Sequence, residues 1–482
     1  MYRILIIPHN QTIEVNHGEN LLKILRQWGY RPDAPCGGTG KCGKCKVLID
    51  GVPALACQTA VNRSMTVSIS TGSETRILTA GIHATNTVQP QEGYSVALDI
   101  GTTTVAGFLL DNANGNEFAT ASRLNPQVTF GADVVSRIQA ALKGELPRLT
   151  NSIRKCTADI ITELCEKANI SPYQISKICP VGNPAMQQIF LGLSPENLAR
   201  IPFRPILTEA KAVSAKEHLP LCENASLLIV PDIAGFIGAD TVAGVLATAM
   251  DQREDITLLV DIGTNGEIVL GNRHRLIACS TAAGPALEGA AIQCGMRGQT
   301  GAIDHVWLEN RSVKHSVIGG GEAIGICGSG LIDAIAVFLE LGQLNSRGRI
   351  LNESRSLTLT DKVFLTQEDI RQLQTAKGAI AAGIELMVKE MGIGFDDINQ
   401  VYLAGAFGTY MNPKSACRIG LLPPALSEKI TAAGNTAGSG AKQLLLDTDA
   451  LDRSQTLVHR IGHLELASHP DFRRTFANNM RL

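Results

Sequence analysis

A four-residue motif occurs twice in this chain, and its repetition constrains the fold more than any other feature. Asp99 to Thr102 and Asp261 to Thr264 both read Asp-Ile-Gly-Thr, and each copy ends an apolar run. Each is followed by two more strand-like stretches and later by helical ones, such as Val134 to Leu142 and Gly330 to Leu341. Self-similarity of this kind indicates an internal duplication. We therefore predict two βββαβα subdomains that face each other across a cleft.

The two turns have the composition of a phosphate-binding site. In a strand-turn-strand motif, glycine permits a tight turn whose backbone N–H groups can face phosphate oxygens. Threonine adds a hydroxyl donor, and aspartate can hold Mg²⁺ or its waters. We predict Asp99 and Asp261 as the catalytic carboxylates. The expected nucleotide contacts at the turns are Gly101, Thr102, Thr103, Gly263, Thr264 and Asn265.

A glycine-rich segment near the C-terminus supports a nucleotide site. Val401 to Gly408 is a short apolar run that ends in glycines, and it follows a predicted helix, Ala379 to Met391. Because a backbone that closely approaches a ligand requires glycine, Gly405 and Gly408 are predicted to contact the nucleotide as well. The chain has no Gly-x4-Gly-Lys-Ser/Thr sequence, which argues against a P-loop.

Three further candidates at the cleft have no assigned role from sequence. Glu267 and Glu288 are either additional acidic groups of the site or ordinary solvated or hydrogen-bonded carboxylates. The stretch Gly319 to Gly330 runs into a helix. It either offers that helix N-terminus to an anion or forms a flexible loop that permits close helix packing.

Four cysteines near the N-terminus have the spacing of an iron-sulfur motif. Cys36, Cys42, Cys45 and Cys57 give C-x5-C-x2-C-x11-C in a loop rich in glycine and lysine. A [2Fe-2S] cluster needs four thiolates, three of which can come from one loop whose glycines let the backbone approach the sulfides. The alternative is a structural zinc site, but such sites usually pair two C-x2-C motifs and this chain has one. We therefore predict one [2Fe-2S] cluster, and we expect most of the other cysteines to be small buried side chains.

The segment around these cysteines resembles a β-grasp domain. Strand-like runs at Arg3 to Pro8 and Gln11 to Val15 precede a short amphipathic helix, Asn20 to Trp28. Further strands are predicted at Lys46 to Ile49 and Met65 to Ser70.

Three lysines, Lys41, Lys44 and Lys46, lie in the cysteine loop. Because a cluster with four thiolates is negatively charged, these lysines can simply offset its charge. The alternative is that they also guide a partner with an acidic face.

Charge and length set further limits. The formal net charge of −2 gives no reason to expect binding to nucleic acid or to a membrane surface. The most apolar stretch, Ala225 to Met250, carries Asp232 and Asp240 and is not expected to span a membrane. No signal peptide is recognised, so we expect a cytoplasmic protein. The expected division is 1–72 for the cluster domain, 73–93 for a linker, and 94–255 and 256–482 for two ATPase subdomains.

These motifs resemble those of a known family, the reductive activators of corrinoid proteins. The resemblance implies an α+β, β-grasp ferredoxin domain followed by an α/β, duplicated ATPase domain of the actin and sugar-kinase (ribonuclease H-like) fold. Besides the cysteine loop, the matching segments are Leu55 to Gln58, Ala97 to Thr104, Asn125 to Gln127, Gly131 to Val134, Gly182 and Asn183, Ile233 to Phe236, Asp261 to Glu267, Leu403 to Gly408, and Gly434 and Asn435.

The resemblance also implies an activity, in which ATP drives the return of a corrinoid methyltransferase protein from inactive Co(II) to Co(I) with an electron from the cluster. It implies a [2Fe-2S] cluster and ATP with Mg²⁺ as cofactors. The implied partners are the corrinoid protein and a low-potential electron donor, and a homodimer is compatible with the family.

Two departures from the family pattern bear on the partner. The linker is short, and Gln187 and Gln188 stand where the family is expected to have histidines. The alternatives are a redox-gated small-molecule kinase, an ATP-dependent activase of another low-potential metalloenzyme, and a redox sensor that binds nucleotide without turnover.

Overall fold

The computed structural model describes residues 1–7, 10–28, 30, 32, 34, 38, 40, 43–69, 78–82 and 90–482 of the chain. Within these ranges, none of the helices combines the length and the apolar character that a membrane crossing requires. The described residues form a small N-terminal sheet and two larger six-stranded sheets, with two short accessory sheets.

The N-terminal unit is a five-stranded sheet packed against one helix. Its strand order is β2-β1-β5-β3-β4, with β1 and β5 parallel at the centre. Asn20 caps the helix, whose apolar face is buried on the sheet. This arrangement confirms the predicted β-grasp domain, while Pro8 and Ser70, at the ends of two predicted strands, lie outside the described residues. The elements are β1 Tyr2–Ile7, β2 Gln11–Val15, α1 Leu21–Gln27, β3 Lys46–Ile49, β4 Val52–Leu55 and β5 Met65–Ser68.

The first large sheet has the strand order β10-β11-β9-β6-β7-β8. Strands β6, β7 and β8 form an antiparallel meander, and β9 and β11 continue the sheet in parallel with β6. We call this sheet and its helices the first subdomain. Its elements are β6 Tyr94–Ile100, β7 Thr104–Asp111, β8 Glu117–Leu124, α2 Val134–Ala140, α3 Leu146–Ala168, β9 Ile175–Val181, α4 Pro184–Leu191, β10 Lys211–Ser214, β11 Ser226–Ile229 and α5 Ala239–Thr248.

The second large sheet has the order β21-β20-β12-β13-β14-β22, and it belongs to the second subdomain. Its elements are β12 Ile256–Ile262, β13 Gly266–Gly271, β14 Leu276–Thr281, β15 Ala302–Glu309, β16 Ser312–Val317, β17 Gly325–Ile326, α6 Gly328–Glu340, β18 Ser356–Thr358, β19 Phe364–Thr366, α7 Gln367–Met391, β20 Ile398–Ala404, α8 Gly405–Tyr410, α9 Pro413–Arg418, β21 Ile430–Gly434, α10 Thr436–Leu446, α11 Ala450–Arg460, β22 Ile461–His463 and α12 Phe472–Asn479.

The strand orders show that the two subdomains are copies of one unit. The run β8-β7-β6-β9-β11 in the first sheet matches β14-β13-β12-β20-β21 in the second, with the same antiparallel and parallel pairings. Asp99 and Asp261 occupy equivalent positions, each the penultimate residue of its strand. The predicted duplication is therefore confirmed.

Element boundaries near the C-terminus differ from the predictions in two places. The helix predicted from Ala379 begins at Gln367, where a capping box formed by Thr366 and Asp369 fixes its start. The strand predicted over Val401 to Gly408 ends at Ala404, and the glycines belong to the short helix α8.

Helices α5 and α10 hold the two subdomains together below the cleft. The helices cross so closely at Gly440 that a Cβ atom there would overlap the backbone of Ala243. Their apolar side chains join one buried core with both sheets, to which Phe108 and Leu259 contribute. This helix pair thus joins the two subdomains on either side of the cleft.

Candidate functional site

The two repeated turns open into one cleft between the subdomains, with a volume of about 330 Å³. Most of the residues predicted for the site line this cleft. Gly408 lies further along α8, where it packs against Leu403. The predicted residues at the cleft are Asp99, Gly101, Thr102, Thr103, Asp261, Gly263, Thr264, Asn265 and Gly405.

Thr103 and Thr264 meet at the centre of the cleft, where their Oγ1 atoms are 3.5 Å apart. Glu288 bonds to both hydroxyls, because its Oε1 accepts from Thr264 at 3.1 Å and its Oε2 accepts from Thr103 at 3.5 Å. Burial raises the pKa of Glu288, although the Arg297 charge and the two hydrogen bonds oppose this shift. The Glu288 carboxylate therefore bridges the two turns.

Asp99 and Asp261 are buried carboxylates at this cleft. Burial raises the pKa of Asp99 to about 7, opposed by a 2.8 Å hydrogen bond from Asn435 Nδ2 and reinforced by the charge of Asp240. Burial also raises the pKa of Asp261 to about 7, with the charges of Asp240 and Asp99 adding to the shift. Carboxylates in such an environment gain stability from a nearby cation.

Asp240 is a third acidic group of the cleft, although from the sequence alone it is only a charge in an apolar stretch. It lies in the first turn of α5, and burial raises its pKa to about 6. The glycine before it, Gly238, allows close packing, since a Cβ there would lie 2.5 Å from the Gly182 carbonyl oxygen. An acidic residue at the start of an otherwise apolar helix is the signal that could have identified it.

Glu267 is a fourth acidic group, directly opposite Asp261 in the β12–β13 pair. Burial raises its pKa well above the ordinary value, and the charges of Asp240 and Asp261 add to this effect. Its Oε1 accepts a 3.4 Å hydrogen bond from Ser280. A raised pKa favours the protonated form of the carboxyl group, which can donate a hydrogen bond as well as accept one.

The carboxylates are spread around the cleft rather than gathered at one point. In the described part of the chain, no three His, Cys, Asp or Glu side chains are close enough together to form a ready-made metal site. Mg²⁺ commonly keeps several waters and is held by one or two carboxylates together with substrate phosphates. The acidic groups at the two turns therefore fit a hydrated Mg²⁺ that arrives with a nucleotide.

Two further residues of the cleft wall were not identified from sequence. Arg297 lines the cleft close to Glu288. His305 also lines it, and its Nδ1 lies 3.0 Å from Oδ2 of the buried Asp333, whose hydrogen bond raises the His305 pKa. Neither residue lies in a recognisable motif, so only the folded chain brings them to the site.

Two of the four predicted cluster cysteines are described, and they lie together. The backbone N–H of Cys57 is 3.4 Å from the Cys45 Sγ atom. Asn20 holds the Cys57 carbonyl through a 2.8 Å hydrogen bond from its side chain. Amide groups that face sulfur are typical of iron-sulfur sites. Cys36 and Cys42 lie outside the described residues.

The loop around the cysteines requires glycine at two positions. Gly38 and Gly40 have φ values of +95° and +84°, which other residues rarely adopt. A Cβ at Gly38 would also lie 3.0 Å from Leu22. The positive φ values of these two glycines and the neighbouring Cys45 and Cys57 fit the predicted iron-sulfur cluster.

Family models match three consecutive regions of the chain. Residues 4–62 match the 2Fe-2S iron-sulfur cluster binding domain, which confirms the predicted cluster type. Residues 94–253 match the RACo middle region, and residues 255–482 match the C-terminal domain of RACo, the ASKHA domain.

Similar proteins agree with these matches. The chain is 36% identical over 415 residues to the corrinoid activation enzyme RamQ of Eubacterium limosum, which covers 80% of this chain and 70% of the relative. It is 27% identical over 414 residues to the Co(II) methylated amine-specific corrinoid protein reductase of Methanosarcina barkeri, which covers 79% of this chain and 75% of the relative.

A solved structure supports the same assignment. The reductive activator for corrinoid, iron-sulfur protein superposes with a TM-score of 0.73 at 26% sequence identity, covering 100% of this chain and 98% of that one. The ferredoxin domain, the duplicated ATPase fold and the relatives all agree. The chain therefore belongs to the family of reductive activators of corrinoid proteins, as an ATP-coupled reductive activase.

Proposed function

We propose that this protein uses ATP to drive an electron from its [2Fe-2S] cluster to a corrinoid methyltransferase protein, which returns from inactive Co(II) to Co(I). The use of ATP is supported chiefly by one observation: the Oγ1 atoms of Thr103 and Thr264 lie 3.5 Å apart. The two turns can therefore contact the phosphates of one nucleotide. The corrinoid part is supported by the relatives, one of which is named a corrinoid activation enzyme and another a reductase of a Co(II) corrinoid protein.

The chain's own residues divide the work of nucleotide binding. The backbone N–H groups of Gly101 to Thr103 on one side of the cleft, and of Thr264 and Asn265 on the other, would bind phosphate oxygens. The Gly263 N–H donates to the Asn265 carbonyl at 2.9 Å and so would hold the second turn in shape. Asp99 and Asp261 would hold Mg²⁺ through its waters and orient a water for attack on the terminal phosphate. The bound nucleotide supplies the free energy of hydrolysis.

One wall of the cleft suits the base of the nucleotide. Gly405 has a φ of +79°, and a Cβ there would lie 2.7 Å from Asp261 Oδ1. Only glycine therefore lets the backbone pack directly against the Asp261 carboxylate. Phe407 and Tyr410, on the helix that follows, also line the cleft and offer apolar surface. Gly408 would support this wall from behind, through its packing on Leu403.

The N-terminal domain would supply the electron. Cys36, Cys42, Cys45 and Cys57 are the proposed cluster ligands. Because the cluster gives up one electron to cobalt, a low-potential donor must reduce the cluster again after each transfer. Plant-type clusters have potentials near about −400 mV, and each step of about 59 mV uphill lowers the equilibrium constant tenfold. Since Co(I) corrinoids are stronger reductants than such clusters, the transfer needs the energy of ATP.

We also propose that the protein acts in the cytoplasm. Among the described residues, seven cysteines outside the cluster motif form no disulfide bond: Cys165, Cys179, Cys222, Cys279, Cys294, Cys327 and Cys417. Unpaired cysteines in this number are typical of a reducing compartment.

The test is the visible spectrum of candidate Co(II) corrinoid proteins mixed anaerobically with this protein and a low-potential reductant. We expect the Co(I) band to appear only when Mg-ATP is present. If no member of a broad panel responds although the cluster is reducible and ATP is turned over, the corrinoid assignment is wrong. Phosphorylation of a small metabolite in the same mixture would favour the redox-gated kinase.

A further inference from the structure

The cluster domain contacts the second subdomain directly beside the nucleotide cleft. Lys44 immediately precedes Cys45, and its Nζ donates hydrogen bonds to the carbonyl oxygens of Ile292 at 2.8 Å and Gln293 at 3.2 Å. The Gly295 carbonyl also accepts from this ammonium group. A charged donor that meets several carbonyls makes a stronger contact than a single neutral hydrogen bond. Lys44 therefore attaches the cysteine loop to one short stretch of the second subdomain.

That stretch, residues 289–296, is a compact loop, which we call the 289–296 loop. Gly289 begins it with a φ of +74°, and a Cβ there would lie 2.8 Å from the Met296 backbone nitrogen. The Gly295 N–H donates to the Ile292 carbonyl at 3.0 Å, and the Ile292 side chain is buried in the core of the second subdomain. The loop is thus a rigid part of that subdomain.

The residue just before this loop is Glu288, which bridges the two subdomains. Its carboxylate accepts from Thr103 of the first subdomain and Thr264 of the second. Phosphate groups bound at the two turns would compete for the same hydroxyls and would repel the carboxylate. Nucleotide binding would therefore remove a contact that joins the subdomains at a point adjacent to the loop that holds Lys44.

The linker provides a second attachment to the same subdomain. The Ala80 carbonyl accepts the Asn435 N–H at 2.9 Å, and the Ile82 N–H donates to the Ala433 carbonyl at 3.1 Å. Leu78 lines the nucleotide cleft. Lys44 and the stretch Ala80 to Ile82 are thus attached to the second subdomain, whereas the end of the linker, at Gln91 and Gly93, bonds to Asn112 of the first.

The first subdomain faces the Lys44 contact across a small crevice of about 90 Å³. Thr102, Asn125 and Asp133 of the first subdomain line it together with Lys44 and Glu288. A change in the angle between the subdomains would therefore alter the surroundings of Lys44 and of the cysteine loop.

We propose that Lys44 is the positioning residue that fixes the cluster domain to the second subdomain, so that the cluster moves with this subdomain when nucleotide displaces Glu288 from the two threonines. The inference rests on the proposed nucleotide site and cluster domain. It adds a physical connection between them, which runs from the threonine hydroxyls through Glu288 and the 289–296 loop to the residue beside Cys45.

The test compares Lys44→Met with Lys46→Met in the cluster-loaded, full-length protein. Both variants remove one positive charge next to Cys45, but Lys46 is an exposed residue of β3. Amide hydrogen exchange is measured by mass spectrometry with and without Mg²⁺ and a non-hydrolysable ATP analogue. The visible spectrum confirms that each variant holds its cluster.

We expect nucleotide to change exchange in residues 43–69 and 289–296 of the wild type and of Lys46→Met. In Lys44→Met without nucleotide, exchange at the Gly295 amide should rise at least about tenfold, since hydrogen bonds to a charged donor are lost. The response of residues 43–69 to nucleotide should disappear, and Lys44→Gln, which keeps a donor, should give an intermediate response.

Two outcomes would overturn the inference. One is a nucleotide response in residues 43–69 of Lys44→Met equal to that of the wild type. The other is a wild type that binds the analogue but shows no change in residues 43–69. Because the measurement includes no corrinoid protein, its result is independent of whether the corrinoid partner has been assigned correctly.

Discussion

Asn435 Nδ2 donates a 2.8 Å hydrogen bond to Asp99 Oδ2 across the cleft, although the two residues are 336 positions apart in the chain. The Oδ1 atom of the same side chain accepts the Gly438 N–H at 2.6 Å and so caps helix α10. One amide group therefore fixes the start of a helix in the second subdomain and the orientation of a carboxylate in the first.

Asn435→Ser should separate these two roles. Serine is a good helix cap but is too short to reach Asp99. We expect ATP turnover to fall at least about tenfold, as the loss of a hydrogen bond to a charged group predicts. Both Asn435→Ser and Asn435→Ala lose the bond to Asp99, so the free energy of unfolding of Asn435→Ala should lie about 1 kcal/mol below that of Asn435→Ser, because only the alanine variant loses the cap as well. Unchanged turnover in Asn435→Ser would exclude the orienting role.

The carboxylates of the two turns should be required for turnover and not for folding. Asp99→Asn and Asp261→Asn keep the shape of the side chain but remove the negative charge that would hold the Mg²⁺ waters. We expect at least about a hundredfold loss of ATP hydrolysis, in line with the several kcal/mol that metal-ion catalysis contributes. The cluster spectrum should be intact. Asp159→Asn, on the exposed face of α3, is the matched control and should hydrolyse ATP like the wild type.

The sequence allowed the turns to be predicted because their signal is local. A glycine and a threonine directly after an apolar strand, repeated once, define the two Asp-Ile-Gly-Thr turns and the duplicated fold. The partner of Asp99 could not be predicted in the same way. Which residue meets Asp99 from the opposite subdomain depends on how the two sheets pack, and this information is spread over both cores.

The structure differs from the sequence-based prediction at two other places, Asp240 and the start of helix α7, and both differences have causes that are visible in the sequence. Asp240 lies in an apolar run that predicts a buried helix, and burial is the feature that perturbs its pKa. Helix α7 begins well before Ala379 because a capping box at Thr366 starts it, while its first turns are too polar to show a clear apolar period. A search for caps would have found that boundary.

Loss of one cluster ligand should affect the N-terminal domain alone. Cys57→Ser should abolish the visible spectrum of the [2Fe-2S] cluster. The affinity for a Mg-ATP analogue should stay within about twofold of the wild-type value. Such a change is small, because a tenfold change in affinity corresponds to about 1.4 kcal/mol. Cys165→Ser, a buried cysteine of α3 in the first subdomain, should keep the spectrum. If Cys57→Ser retains a full [2Fe-2S] spectrum, the proposed ligand set is wrong.

The close crossing of α5 and α10 should tolerate no side chain at Gly440. In Gly440→Ala the new methyl group would meet the backbone of Ala243, which cannot rotate away. We expect a loss of about 1–3 kcal/mol in the free energy of unfolding, measured with denaturant. Gly462→Ala is the control, because its Cβ would lie an ordinary 3.4 Å from Ile277, and it should cost less than about 0.5 kcal/mol. Equal stability of the two variants would contradict the role of this crossing.

Lys377 should give the protein a stability that increases with pH. Its side chain is 1% exposed, it donates to the Gly420 carbonyl at 3.4 Å and to the Arg481 carbonyl, and burial lowers its pKa to about 8 from an ordinary 10.5. Between these two values the unfolded chain binds more protons than the folded protein, so the free energy of unfolding rises with pH. In Lys377→Met the side chain does not titrate, so this variant lacks the pH dependence that Lys377 contributes. The stability of the wild type relative to this variant, measured with denaturant at constant ionic strength, should therefore increase from pH 8 to pH 10. A relative stability that stays constant or falls over this range would show that the ammonium group is not destabilised by burial.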